Sequence, residues 1–389
     1  MTMKKTFRLL LMGLLAVQAC QKDEIPETYE DADLTGSPVD VSAFPASVRK
    51  VFVLNEGGMG SGNASLDFIR TSDGHYVTGA FKKMNPSVGA GLGDVGNDIA
   101  VKGDEVWIVV NNSGIVEVIS AKDEKEIAAI TVPTPRNIAF DDKYAYVTSW
   151  AGAYINGSFD GNGDFSFSGS ANPKGKVYRI NLKTKKVDGA VEVGFQPEGI
   201  AWADGKLYVA NSGGISSQLP PLWSYDNTVS IIDAASFKVV KTVEVAVNLK
   251  SVYADADGHV YVTSLGDYGK THSAVYEVTA DFAVKIADYV SVSTFLDGTL
   301  YCLGTENEFD WFLPRHTFTG FRVKKGVKAS WNLPVEAASL SGLCAVDLGT
   351  FLVCDSGDYF NPGTVSCFAG GSLKWSVTAG VCPGHFAVW

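Results

Sequence analysis

Short apolar strands ending in polar turns recur seven times along this chain. The turns read Val53-Leu54-Asn55-Glu56-Gly57, Val109-Val110-Asn111-Asn112-Ser113-Gly114, Val147-Thr148-Ser149-Trp150, Val209-Ala210-Asn211-Ser212-Gly213, Val262-Thr263-Ser264-Leu265-Gly266, Cys302-Leu303-Gly304-Thr305 and Val353-Cys354-Asp355-Ser356-Gly357. After an insert of variable length each is followed by an alternating segment: Ser65 to Ile69, Ile115 to Ile119, Lys176 to Ile180, Thr228 to Ile232, Ala274 to Val278, Gly320 to Val323 and Thr364 to Phe368. Alternation at period two marks strands rather than helices. Self-similarity at roughly 40–50 residues, with about four strands per unit, is the pattern of a β-propeller.

The repeats can be delimited. In the second, Val95 to Val101 reads as an inner strand, Val106 to Val110 as the next, Ile115 to Ser120 as the third and Ile127 to Val132 as the outer one. The cycle restarts near Pro135, Gln196, Asn248, Ser291 and Ala337, giving six complete blades. An N-terminal piece, Lys50 to Phe81, has three strands and lacks an inner one, and Gly384 to Trp389 at the C-terminus is an inner strand without a blade. The expected fold is therefore all-β: a seven-bladed β-propeller over residues 48–389, closed by N- and C-terminal strands that share one blade. Closure of this kind also protects sheet edges.

In a four-stranded meander the loops between second and third strands share one face with the crossovers between blades. Irregular residues concentrate there, at 150–175, 213–227, 265–273, 305–319 and 356–363. Loops of this length inside a compact domain are usually functional. They hold Trp150, Tyr154, Phe159, Phe165, Phe167, Trp223, Tyr225, Tyr268, Phe309, Trp311, Phe312, Tyr359 and Phe360, with His316 beside them. Aromatic rings amid Gly, Ser and Asn supply rigid apolar contact with a polar tip, the composition of a recognition surface. Some of these rings are expected to form small loop cores, and the rest to line a broad basin at the ring axis. Crossover residues Arg136, Gln196, Glu198, Lys250 and His385 are expected to form its polar inner rim.

Charge and termini add an address. Lys4, Lys5 and Arg8 precede an apolar run from Leu9 to Val17, too short to span a bilayer, so residues 1–19 read as a signal peptide. Ala19-Cys20 resembles a bacterial lipobox, making Cys20 the lipidation site. The polar, acidic stretch 20–47 reads as a disordered tether, about 30 Å in mean reach. Lys22-Asp23-Glu24 resembles the export signal of surface lipoproteins, which places the chain on the outer membrane. A net charge of -11 argues against the extensive phosphate neutralisation that nucleic-acid binding requires.

Little in the sequence names a reaction. It has no nucleotide-binding glycine loop, no nucleophile elbow and no His pair at metal-ligand spacing. Cys302, Cys344, Cys354, Cys367 and Cys382 read as buried apolar residues, with room for one disulfide. A ring of Glu56, Asp94, Asn111, Asn211, Glu198 and Asp355 could hold Ca²⁺, as in lactonase-type propellers, although such residues also favour turns for local reasons. The expectation is a binding protein with no cofactor, no metal and no catalytic residue.

Pro135-Arg136-Asn137-Ile138-Ala139 followed by Tyr146-Val147-Thr148 resembles the YVTN or YncE-like propellers. A narrower likeness lies in Leu54-Asn55-Glu56-Gly57, Asn63-Ala64-Ser65, the run from Leu92 to Ile99, Ile108 to Ser113, and Pro135-Arg136. These segments resemble the BtuG-like surface lipoprotein propellers of Bacteroidota. That resemblance implies a lipid-anchored protein that binds cobalamin or another corrinoid and passes it to a TonB-dependent outer-membrane transporter. A pure protein-interaction module and a glycan binder are the rival readings of the same aromatic face.

Overall fold

Blade two shows how the alternating pattern becomes a sheet. Its strands Gly96–Lys102, Glu105–Val110, Ile115–Ser120 and Glu126–Thr131 pair antiparallel in chain order. Successive side chains point to opposite faces, so Trp107 and Val109 join Val116 and Val118 against blade three, while Ile108, Val110 and Ile119 pack against Phe52, Leu54 and Phe68 of blade one. Because both faces of the second strand are covered, it reads as an unbroken apolar run. The outer strand is covered least and carries most of the exposed positions.

The computed structural model describes residues 34–152, 156–159, 165–168, 173–215, 223–307 and 314–389, with the backbone alone for 156–159, 165–168, 214–215 and 223. Five further complete blades repeat the order of blade two, with inner strands Pro135–Phe140, Pro197–Ala203, Leu249–Ala254, Val292–Leu296 and Leu340–Ala345. In blade one, Lys50–Asn55 pairs with Ser65–Arg70 on one side and with the C-terminal Pro383–Val388 on the other, Val51 opposite Val388. The seven-bladed propeller and its shared blade are as the repeat pattern predicts. Asp33–Trp389 forms one compact unit that contains all of these pairings.

Several features differ from expectation. Residues 34–47 are not tether: Ser37–Pro38 adds a strand to the outer edge of blade one by pairing with Tyr76 and His75. From there the chain crosses to blade seven, where Trp375 Nε1 donates to the Asp40 carbonyl at 2.7 Å and Thr350 Oγ1 to that of Ala43 at 3.1 Å. Phe44 and Val48 are buried between blades seven and one. Apolar residues spaced along a polar stretch, next to an edge strand that needs cover, explain this strap. The inserts of blades three and four contain hairpins, Asn156–Phe159 with Phe165–Ser168 and Gly214–Ile215 with Trp223–Ser224. Blade seven opens at Leu340, because Val335–Ala337 instead pairs with an extension of blade six at His316 to Phe318. The five cysteines described are all free thiols, so no disulfide forms among them.

A recurring turn delivers the chain to the axis. Val95, Thr134, Gln196, Asn248 and Cys382, each just before an inner strand, have φ between 37° and 61°. This left-handed conformation disfavours residues with a Cβ, most of all the β-branched Val95 and Thr134. In all five, the carbonyl of the kinked residue accepts a hydrogen bond from the N–H just after the second strand of the same blade: Asn111, Trp150, Ser212, Leu265 and Glu56, at 2.7 to 3.2 Å. The kink thus fixes the next inner strand against its own sheet.

Candidate functional site

The first residues of the inner strands converge on one face of the ring, around an axial cavity of about 560 Å³. All seven blades contribute. Arg136 and Glu198 hold equivalent positions, second in the inner strands of blades three and four, so the ring makes them neighbours, with Arg136 Nε donating to Glu198 Oε2 at 3.0 Å. Trp150, just after the second strand of blade three, donates from Nε1 to Glu198 Oε1 at 3.2 Å and lies 4.5 Å from the Arg136 guanidinium by its ring centroid. Hydrogen bonding and cation–π contact therefore lock the three side chains into one unit.

Across the axis, His385 Nε2 and Glu56 Oε1 are 3.0 Å apart. Burial pushes the Glu56 carboxyl upward, but the hydrogen bond with His385 and the charges of His385, Lys250 and Arg136 outweigh it and hold the group below the ordinary glutamate range. Glu56 is thus a carboxylate at neutral pH. Lys250, on blade five, lines the cavity, is exposed, and makes no ion pair among the described residues. Deeper in, Asp98 accepts from the N–H of Ile99 and of Ile138, at 2.9 Å each, and burial raises its pKa despite those bonds. Ser251, Ser291, Ser293 and Ser341 form a hydroxyl arc on blades five to seven, and Val252, Leu343 and Phe386 line the cavity with them.

Four of the five residues expected at the rim, Arg136, Glu198, Lys250 and His385, line the cavity. The fifth, Gln196, does not: it occupies one of the left-handed kinks, buried, and its Oε1 has no hydrogen-bond partner. The candidate ring of oxygen ligands is not assembled. Asp94 accepts from Gly60 N and Asn112 Nδ2, and Asn111 donates to the Pro135 carbonyl. Asn211 bonds Gly194, Thr228 and Ser230, and Asp355 bonds the N–H groups of Ala338, Ser339 and Gly357. Only Glu56 and Glu198 of the six reach the axis. Among the described residues no group of three or more His, Cys, Asp and Glu is placed to hold a metal ion.

The aromatic residues divide. Trp150 joins the site through Arg136 and Glu198. Tyr268, Tyr359 and Phe360 stand on the same face, 54%, 57% and 86% exposed, and outside the cavity wall. Tyr225 is half-buried, as is His316, whose Nδ1 has no partner and which packs beside Phe318 away from the cavity. Phe165, Phe167 and Trp223 lie in the two hairpins, with side chains outside the described residues, and Phe159 shares that position. Tyr154, Phe309, Trp311 and Phe312 lie outside the described residues altogether. No sequence signal marks the serine arc or Asp98, although Asp98, Ser251, Ser293 and Ser341 sit within the first three positions of inner strands and Ser291 just before one.

Chemically, the cavity offers fixed donors and acceptors of both signs on a rigid frame. A sequence-family profile described as a domain of unknown function (DUF5074) matches residues 50–325. No curated protein matches the chain. Among solved structures it is similar to hydrazine synthase of Kuenenia stuttgartiensis, with 14% identity and a TM-score of 0.54 over 75% of this chain and 88% of that one. It is also similar to the computationally designed protein Ika8, with 11% identity and a TM-score of 0.49 over 90% and 91% of the two chains. The likeness to hydrazine synthase is one of fold.

Proposed function

This chain belongs to the DUF5074 family, and we propose that it is the binding component of a surface uptake system, capturing cobalamin or a related corrinoid at the axial face and releasing it chemically unchanged. In this reading Cys20 carries the lipid anchor, the protein stands on the outer membrane, and a TonB-dependent transporter receives the ligand. The observation that carries it is the axial cavity itself: Arg136, Glu198 and Trp150 on one side, Glu56 and His385 opposite, and an exposed Lys250 between them. Donors and acceptors in that alternation suit a ligand edged with amides, while Tyr268, Tyr359 and Phe360 offer apolar contact to a flat body too large to enter. Rigid blades hold these groups before the ligand arrives, which keeps the ordering cost of binding low. The choice of a corrinoid rests on the resemblance of the segments quoted above to the surface lipoprotein propellers.

Calorimetric titration of residues 33–389 with cyanocobalamin tests the proposal. Stoichiometric binding that is weakened by Trp150→Ala supports it; no heat and no change in the corrinoid visible spectrum at micromolar protein removes it. A second reading is favoured by Tyr359 and Phe360 standing so far into solvent: the same face docks a partner protein, as exposed aromatic patches commonly do. Loss of transporter co-purification on Phe360→Ser, with corrinoid binding intact, would assign that role to the patch.

A further inference from the structure

On the face opposite the axial rim lies a second cleft, of about 490 Å³, between the N-terminal strap and the turn after the third strand of blade one. Its strap wall is apolar, from Val41, Phe44, Pro45, Ala46 and Val48, and its other wall is Arg70, Thr71 and Ser72, with Arg49 and Lys50 between. Every charged residue lining it is a cation. Lys50 is not available to a ligand, because its Nζ already bonds Glu124 and the carbonyls of Ala121 and Lys122. Arg70 shares Nε and one terminal nitrogen with Asp73, which also meets His75, and keeps a quarter of its side chain in solvent at 27%. Arg49 is exposed, its guanidinium 5.0 Å from the centroid of the Trp389 ring, and makes no ion pair among the described residues. Of the other carboxylates nearby, Glu124 is held by Lys50, and Asp104 chiefly by Lys122, with the Arg49 charge a smaller attraction.

We propose that this cleft is an anion site: Arg49, backed by Trp389, and Arg70 receive a phosphate or carboxylate while the strap residues Val41, Phe44 and Val48 hold the apolar part of the same molecule. A planar guanidinium fixed by stacking loses little freedom when it takes an oxyanion on its edge, which is why arginine serves such sites. Ser72, also exposed, lines the cleft beside Arg70. The match to the family profile begins at residue 50, so Arg49 and the whole apolar wall lie just before the matched region. The ligand is thus an amphipathic anion, either a lipid headgroup or a soluble phosphate, and it binds independently of the axial site.

The test uses residues 33–389, the unit that contains all seven blades and the strap. Thermal unfolding in inorganic phosphate is compared with chloride at equal ionic strength, and flotation with phosphatidylglycerol vesicles is compared with phosphatidylcholine vesicles. Phosphate should raise the melting temperature of the wild type, with affinity about tenfold weaker in Arg49→Gln, the loss of one charge-assisted contact. Ser72→Glu, which puts a carboxylate at the mouth without touching the strap, should abolish the shift. Flotation with the anionic vesicles, lost in the same variants, identifies a headgroup; a phosphate shift without flotation identifies a soluble anion. No phosphate shift in the wild type, or a shift undiminished in both variants, overturns the site.

Discussion

Of the ion pairs that cross blade boundaries, one is sealed in the interior and one lies on the wall of the axial cavity, and these surroundings give the two opposite roles. Lys50 of blade one meets Glu124 of blade two in the interior, with side-chain exposures of 10% and 1%, and all three ammonium protons have acceptors. Arg136 of blade three meets Glu198 of blade four on the wall of the axial cavity. Sealing an ion pair in makes each partner depend on the other, because a lone buried charge is costly. A pair on a cavity wall leaves water or a ligand to take the place of a lost partner. The first pair is architecture, and the second can serve recognition.

The comparison is broken most severely by Lys50→Met, which strands Glu124 and should cost about 3–5 kcal/mol of unfolding free energy. Denaturant titration measures it, and corrinoid titration of the folded fraction should be unaltered. Next comes a buried carboxylate with no counter-ion. Glu117 is 2% exposed and its Oε1 has no hydrogen-bond partner; burial, then the charge of Glu126, pushes its pKa up to about 8. A raised folded-state pKa means the folded chain holds a proton that the unfolded chain loses above 4.5. That stability is complete below pH 4.5, drains away as pH rises and is gone above about 8. Glu117→Gln should therefore gain on the wild type across this window, by on the order of 2 kcal/mol at its upper end. Parallel stability curves for the two proteins would refute it.

Smaller effects sharpen the recognition side. Trp150→Ala removes the ring over Arg136 and one donor to Glu198, and should weaken ligand binding by more than about 1 kcal/mol, the scale of an interface hot spot. Its melting temperature should move little. Smallest of all, Glu198→Gln should change unfolding free energy by no more than about 1 kcal/mol, since water in the cavity can solvate Arg136. A loss as large as that of Lys50→Met would show that the cavity pair is architecture after all.

How much of this was legible in the sequence follows from the range of each cause. Blade count and the split blade were legible because period-two alternation is local and repeats, and the lone strand at Gly384 to Trp389 has nowhere to pair except Lys50–Asn55. Arg136, Glu198, Lys250 and His385 were legible as rim residues, since each starts an inner strand and the ring fixes where such positions point. Gln196 broke that rule because the kink itself fell on it, and nothing in a Val, Thr, Gln or Cys announces a left-handed backbone. The strap escaped notice because four apolar residues over ten positions resemble a tether until the groove they fill is known. Asp94, Asn111, Asn211 and Asp355 were ambiguous between ligands and turn formers, and the backbone groups they bond decided the matter.

Sharing blade one between the two ends of the chain also sets an order in time. Six blades are built from neighbouring segments and can fold as soon as those segments emerge, but Lys50–Asn55 must wait for Pro383–Val388, which follows the other six blades in the chain. Until then the first blade keeps one bare edge, of the kind that recruits strands from other chains. Contacts between distant segments are also the slow ones to form. Removing the final six residues would therefore wound the beginning of the protein and not its end, leaving blade one without its inner strand and the axial cavity without His385. Whatever reaches the ring axis meets a wall that stands only once the first and seventh blades have been joined.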